Sequence, residues 1–138
     1  MNKMEVQVVT PNGLVYDGEA GFVLATTPQG QLGIMANHQP IIAPVKISSL
    51  IIKEVKGGDI LSEIAVNGGI LEVRDNIVSI LANSAERAQD IDVERAERAK
   101  DRAEQDIQYA KEHQESDKMK RAEVALARAI NRIHISKK

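Results

Sequence analysis

The sequence predicts an α+β chain, an N-terminal β-sandwich followed by a C-terminal antiparallel two-helix hairpin. Three observations carry this. All nine glycines lie between Gly13 and Gly69 and all four prolines between Pro11 and Pro44, so the second half has neither a turn former nor a helix breaker. Val- and Ile-rich runs recur at intervals of roughly 8–12 residues through the first half, the spacing of a sandwich or barrel. Ala and Ile recur at helical spacing through the second half. The boundary is read at 85/86, giving a β domain over 1–85 and a helical domain over 86–138.

The β elements follow in order. Met4–Val9 alternates apolar and polar residues. Thr10-Pro11-Asn12-Gly13 is a turn, with Pro fixing φ and Gly accepting a positive φ. Gly21–Thr27 and Gln31–Met35 read as strands around Pro28-Gln29-Gly30, and Val45–Val55 as one long buried strand. Gly57-Gly58-Asp59 turns the chain into Ile60–Val66. Asn67-Gly68-Gly69 carries a hairpin signal and leads into Ile70–Val73. Arg74-Asp75-Asn76 turns it again into Ile77–Leu81. About eight to ten such strands enclose a core of their own. With Tyr16 and Phe22 the only aromatics here, that core is aliphatic.

From Ala88 to about Lys111 the apolar positions are Ala88, Ala96, Ala99, Ala103, Ile107 and Ala110. Asp90 and Asp92 suit a helix start, where carboxylates cap free N–H groups and meet the dipole. From Asp117 or Lys118 to about Ile133 the stripe is Met119, Ala122, Leu126, Ala129 and Ile133. A mostly alanine seam lets two helices approach closely but buries little area, so the hairpin is expected to be marginally stable. Charge follows the same division. Residues 86–117 hold 6 basic and 11 acidic groups, and 118–138 hold 7 basic groups against Glu123 alone. Opposite signs favour antiparallel pairing, at ~0–1 kcal/mol per exposed pair.

Composition excludes several classes. Without cysteine there is no disulfide framework, thiolate nucleophile or cysteine zinc site. No apolar run approaches the ~18–20 residues of a membrane span. The N-terminus does not read as a signal peptide, and a soluble cytoplasmic chain is expected. The net charge of −2 offers no field for nucleic acid. His38, His113 and His134 sit in separate segments, none at the i, i+4 spacing of two ligands on one helix face, so no metal site is expected. Gly30-Gln31-Leu32-Gly33 lacks the third Gly and the Lys of a phosphate loop and reads as a turn. No Ser/His/Asp arrangement stands out, and no catalytic residue is assigned.

Two features rise above this background. Lys118, Arg121, Arg128 and Arg132, at steps of 3, 7 and 4, run along one helix face beside the apolar stripe. They form either a solvated face paired with the first helix, or an anion-binding strip for phosphate or an acidic partner. Ile91-Asp92-Val93-Glu94-Arg95-Ala96 places Asp92 and Arg95 at i, i+3 with a small residue beside them. On spacing alone, a capped helix start is the better account of it.

Val8-Val9-Thr10-Pro11-Asn12-Gly13-Leu14-Val15-Tyr16 resembles the opening of the ε-subunit family of bacterial F-type ATP synthases. So do Gly30-Gln31-Leu32-Gly33-Ile34, His38-Gln39-Pro40-Ile41-Ile42, Gly68-Gly69-Ile70-Leu71-Glu72-Val73, Ala85-Glu86-Arg87-Ala88-Gln89-Asp90-Ile91-Asp92, and the run from Arg121 to Arg132. The matches cover essentially the whole chain in order. The chain departs from the pattern at Met35-Ala36-Asn37, where members usually carry Leu-Pro-Gly, and at Gln31, where many carry Glu. The resemblance implies a non-catalytic central-stalk subunit that binds the γ subunit and the c-ring and couples proton flow to ATP synthesis. It also implies a subunit peripheral to the cytoplasmic face of the bacterial membrane, without insertion, and a monomer when isolated. Gln31 and His38 fall in the region that faces the ring in the family. The resemblance further implies a hairpin that extends along γ and inhibits hydrolysis, with Lys118, Arg121, Arg128 and Arg132 meeting an acidic segment of a β subunit. Some bacterial members bind ATP through an Ile/Leu-Asp-x-x-Arg-Ala motif, intact here as Ile91, Asp92, Arg95 and Ala96. Arg95, Arg128 and Arg132 would take phosphates, and Asp92 would accept from the adenine amine. ATP would then be a regulatory ligand rather than a substrate, and no other cofactor is implied. Two other readings are a free adapter or assembly module that grips a helical partner with its α-hairpin, and an enzyme acting on a nucleotide at Asp92 and Arg95.

Overall fold

The computed structural model describes residues 2–136. The chain divides into two compact units that meet between Ala88 and Gln89.

The first unit holds eight strands: β1 (Met4–Thr10), β2 (Gly13–Ala20), β3 (Phe22–Thr27), β4 (Gly30–Met35), β5 (Ile41–Lys53), β6 (Ile60–Arg74), β7 (Ile77–Ala82) and β8 (Ala85–Arg87). Their order is β2-β1-β7-β6-β5-β3-β4, with β8 also on β6. Only β1 and β7 run parallel. The two longest strands serve both layers of the sandwich. The second half of β6 pairs with β7 while its Ile64–Val66 segment pairs with β8. The far end of β5 pairs with β3, and its first half pairs with β6 alone. Pro44 thus lies on an edge segment, where a missing N–H breaks no ladder.

Asn67-Gly68-Gly69 is not the hairpin its sequence signals. β6 runs unbroken through it, and the three residues form the corner where the strand passes from one layer to the other. The ladder to β5 holds on both sides, Val45 opposite Gly69 and Ile47 opposite Asn67. Gly68 and Gly69 adopt φ of 83° and 149°, open to glycine at little cost. A Cβ on Gly69 would lie 2.2 Å from the Leu81 carbonyl oxygen. The corner is pinned by Asn67, whose Nδ2 donates to Ser84 Oγ at 2.6 Å and whose N–H donates to the Ser84 carbonyl at 2.9 Å.

The β1–β2 and β3–β4 turns are twins. In each, a Thr hydroxyl accepts from the backbone N–H two residues on and donates to the carbonyl of the following Gly. Those glycines, Gly13 and Gly30, have φ of 125° and 123°. The core between the layers is aliphatic as expected, with Val6, Val8, Val23, Ile34, Leu50, Ile52, Ile64, Leu71, Val78 and Ile80 all buried.

In the second unit, α1 (Val93–His113) and α2 (Ser116–Ser136) pack as an antiparallel hairpin. The first helix starts later than its apolar pattern indicates. Ala88–Asp90 is a 3-10 turn, and Asp92, in an extended conformation, accepts from the Arg95 N–H at 3.1 Å as the N-cap. The second helix runs beyond Ile133 to include the buried Ile135. The seam holds Ala96, Ala103 and Ala110 of α1 and Ala122 and Ala129 of α2, every one buried. Steps of seven keep small residues at one contact line, as in coiled coils. Leu126 and Ile133 are only half-buried.

Gln114 links the helices. Its φ is 55°, its N–H donates to the Lys111 carbonyl at 3.4 Å, and the Glu115 N–H donates to the Ala110 carbonyl at 2.9 Å. This is the Schellman pattern of helix ends, built on a residue other than glycine.

Candidate functional site

Antiparallel packing sets the first turns of α1 beside the last turns of α2. Ile91, Asp92, Arg95 and Ala96 therefore share one end of the hairpin with Arg128 and Arg132. Ile91 and Ala96 are buried, while Asp92 and Arg95 are exposed. One Asp92 oxygen is engaged as the helix cap. Arg128 is half-buried, and its Nε is shielded from solvent with no hydrogen-bond partner among the described residues. A buried guanidinium N–H without an acceptor is costly.

Lys118 and Arg121 lie at the other end, beside the turn. Lys118 Nζ sits 4.0 Å from the centre of the Tyr109 ring, and that ring stacks on His113 with centroids 3.9 Å apart. This spans the turn with a cation–π contact. Among the described residues, no ion pair joins Lys118, Arg121 or Arg128 to a carboxylate of α1. The basic stripe is therefore divided along the hairpin, with Lys118 and Arg121 beside the turn and Arg128 and Arg132 in the second half of α2.

Gln31 and His38 lie at opposite ends of β4, separated by roughly 15 Å of strand. Gln31 is exposed beside the β3–β4 turn, and His38 follows the strand in the 36–40 loop. This loop is held from beneath. Asn76, in the β6–β7 turn, accepts from the Asn37 N–H at 2.8 Å and donates to the Lys3 carbonyl at 2.8 Å. Asp75 and Asn76 have φ of 53° and 63°, a primed turn matched to strand twist. Asn76→Ala is expected to destabilise the sandwich by ~2–3 kcal/mol, measured by urea unfolding, because it removes both side-chain bonds and leaves an alanine at positive φ.

One surface escaped the sequence reading. On the outer face of one layer, cross-strand neighbours Pro44, Ile70, Leu81, Val9 and Leu14 form an apolar row over five strands. Leu14, Leu81 and Ile70 are 60%, 59% and 51% exposed, and Ile42 beside them is 70% exposed. A shallow cavity of about 430 Å³, lined by Pro40, Ile41, Ile42, Glu72, Val73 and Arg74, opens beside the row. At a strand spacing of ~4.8 Å the row is roughly 19 Å wide. The signal was present in the apolar doublets Val8-Val9, Ile70-Leu71 and Ile80-Leu81. A strand buried on one face needs only one apolar residue of each pair.

Two family models tile the chain. Residues 3–88 match the ATP synthase delta/epsilon chain β-sandwich domain, and residues 89–137 match the delta/epsilon chain long α-helix domain. The chain belongs to the ATP synthase delta/epsilon family. Among solved structures it is similar to a chain of the Euglena gracilis mitochondrial ATP synthase, at 19% identity and a TM-score of 0.74, covering 92% of this chain and 77% of that one. A chain from the central stalk and c-ring of the Tetrahymena thermophila mitochondrial ATP synthase is 25% identical with a TM-score of 0.50, covering 62% and 67% respectively.

The fold also accounts for one departure from the delta/epsilon pattern. Asn37 stands where a Gly is usual, at φ of 65°. Asn is the non-glycine residue that best tolerates the left-handed region, so the loop keeps its backbone without the glycine. Among the described residues no helix is long and apolar enough to cross a membrane.

Proposed function

We propose that this delta/epsilon chain is a non-catalytic central-stalk subunit. Its sandwich docks on the γ subunit and the c-ring, and its helical hairpin regulates ATP hydrolysis, with ATP as a regulatory ligand. The observation that carries the docking is the five-strand apolar row. An exposed apolar row of that extent, extended by Ile42, supports a protein interface rather than a solvated surface. The 36–40 loop, with His38, supplies a polar contact suited to the headpiece of the ring. The subunit is peripheral in this reading, held at the membrane by its partners.

The regulatory half rests on the hairpin. Its alanine seam holds the helices weakly, and its open end joins the Ile91-Asp92-x-x-Arg95-Ala96 motif to the unsatisfied Arg128. ATP bound there stabilises the folded hairpin by mass action. When the hairpin is released, the same arginines are free to meet an acidic segment of a β subunit. A free adapter lacks the match of both units to one ATP synthase chain family.

Docking is tested with Ile70→Asp combined with Leu81→Asp. Both residues are more than half exposed, so the domain is expected to stay folded, which circular dichroism checks. Binding to the purified γ–c-ring rotor is expected to weaken at least about 100-fold by co-sedimentation, as two central apolar contacts give way to buried carboxylates. Undiminished binding would place the stalk contact elsewhere on the sandwich.

A further inference from the structure

We infer that the fold directs spontaneous deamidation to Asn12-Gly13 and shields Asn67-Gly68 from it, and that isoaspartate at position 12 detaches the β1–β2 end of the apolar row. The effect on the row rests on the docking reading above; the modification site does not.

Of seven asparagines, Asn12 and Asn67 alone precede glycine. That pairing is the reactive one, because glycine has no side chain to hinder its own backbone nitrogen and reaches backbone angles closed to other residues. The glycine nitrogen attacks the asparagine Cγ. Its proton leaves with the side-chain NH2 as ammonia, and a five-membered succinimide remains. Water then opens either of the two carbonyl–nitrogen bonds, giving aspartate or isoaspartate.

The two sites have opposite surroundings. Asn12 is exposed, and its side-chain amide has no hydrogen-bond partner among the described residues. Nothing lies within 4 Å of where a Cβ on Gly13 would be. Asn67 is 2% exposed, and its Nδ2 donates to Ser84 Oγ at 2.6 Å. Its carbonyl accepts from Asn83 Nδ2 at 3.4 Å, and the Gly68 carbonyl accepts from the Asn83 N–H at 3.0 Å. These bonds must break before the Gly68 nitrogen can swing onto Cγ, so reaction there waits on opening of the strand.

Isoaspartate routes the main chain through Cβ and lengthens it by one atom. The β1–β2 turn closes on a single hydroxyl. The Asn12 N–H donates to Thr10 Oγ1 at 3.1 Å, and Oγ1 donates to the Gly13 carbonyl at 3.2 Å. An extra atom between those two groups undoes the closure. Leu14, paired with Val9 and 60% exposed, then leaves the row.

The full chain is incubated in mildly alkaline buffer, native and in guanidinium chloride. Peptide mass spectrometry and an isoaspartate-specific methyltransferase assay locate the products. In the native chain Asn12 is expected to react at least about 100-fold faster than Asn67. In denaturant the two rates should converge, because the shield is gone. An unreactive Asn12, native rates that match, or a gap that persists in denaturant overturns the site. The incubated chain is then co-sedimented with the purified γ–c-ring rotor. Asn12→Asp carries the new charge on an ordinary backbone, and incubated Asn12→Ala cannot react. Chain with isoaspartate at position 12 should bind at least about 10-fold more weakly, while both variants bind as the parent does. Equal loss in Asn12→Asp overturns the backbone account. Unweakened binding of the isoaspartate form overturns the link to the row if Ile70→Asp with Leu81→Asp still weakens docking. If that pair also leaves docking intact, the docking reading falls and the modification site stands.

Discussion

Gly69→Ala is expected to cost the sandwich at least about 4 kcal/mol, which in a small domain leaves much of the population unfolded. Two effects coincide. The backbone φ of 149° is one an L-residue rarely adopts, and the new methyl would sit 2.2 Å from the Leu81 carbonyl oxygen and 2.8 Å from the Ala82 Cα. Neither neighbour can yield. Both are backbone atoms of β7, and Gly69 pairs directly with Ala82 in the ladder. Gly30→Ala is the control, because its φ is also positive, 123°, yet nothing lies within 4 Å of the added carbon. That variant is expected to lose only ~1–2 kcal/mol, from the backbone alone. Urea unfolding of both variants separates strain from collision. Similar losses would show that β6 and β7 move apart at the corner.

Arg128→Glu combined with Arg132→Glu is expected to weaken ATP binding to the isolated chain at least about 100-fold, read by titration calorimetry. Each arginine removed forfeits a charge-assisted hydrogen bond of ~1.5–3 kcal/mol, and each glutamate adds repulsion toward phosphate. The buried, unsatisfied Nε of Arg128 gives the prediction its sign, because that N–H lacks an acceptor in the free hairpin. The same variant should relieve inhibition of hydrolysis in the assembled enzyme. ATP affinity equal to that of the parent chain would reduce the motif at Asp92 to what its geometry also is, a helix cap.

Most of the fold was legible because the elements obey local rules. The twin Thr-Pro-x-Gly turns and the primed Asp75-Asn76 turn are written in three or four residues each. The helical half is legible from its sevenfold alanines. What misled was local chemistry reused in a longer context. Asn67-Gly68-Gly69 is a hairpin signal taken alone, but Val45 and Ile47 hold their partners on both sides of it, and only the β5 ladder shows this. The alanine at position 88 continues the helical pattern, yet the caps decide where a helix starts, and Asp92 won over Asp90. For the candidate site, the Asp92–Arg95 spacing was visible. Its juxtaposition with Arg128 needed the antiparallel packing. The split of the basic stripe was invisible, because a helix face says nothing about which end meets which partner. The apolar row was spread over five strands and came together only through their register.

β5 and β6 have a mechanical consequence. In many sandwiches the two sheets are joined only by loops and by side chains that slide past one another. Here two strands of 13 and 15 residues pass from sheet to sheet as continuous covalent backbone. Shearing one sheet over the other would load peptide bonds and hydrogen-bond ladders rather than soft contacts between methyl groups. The domain is therefore stiff against torsion. A twist applied to one sheet is carried to the other through the backbone of β5 and β6.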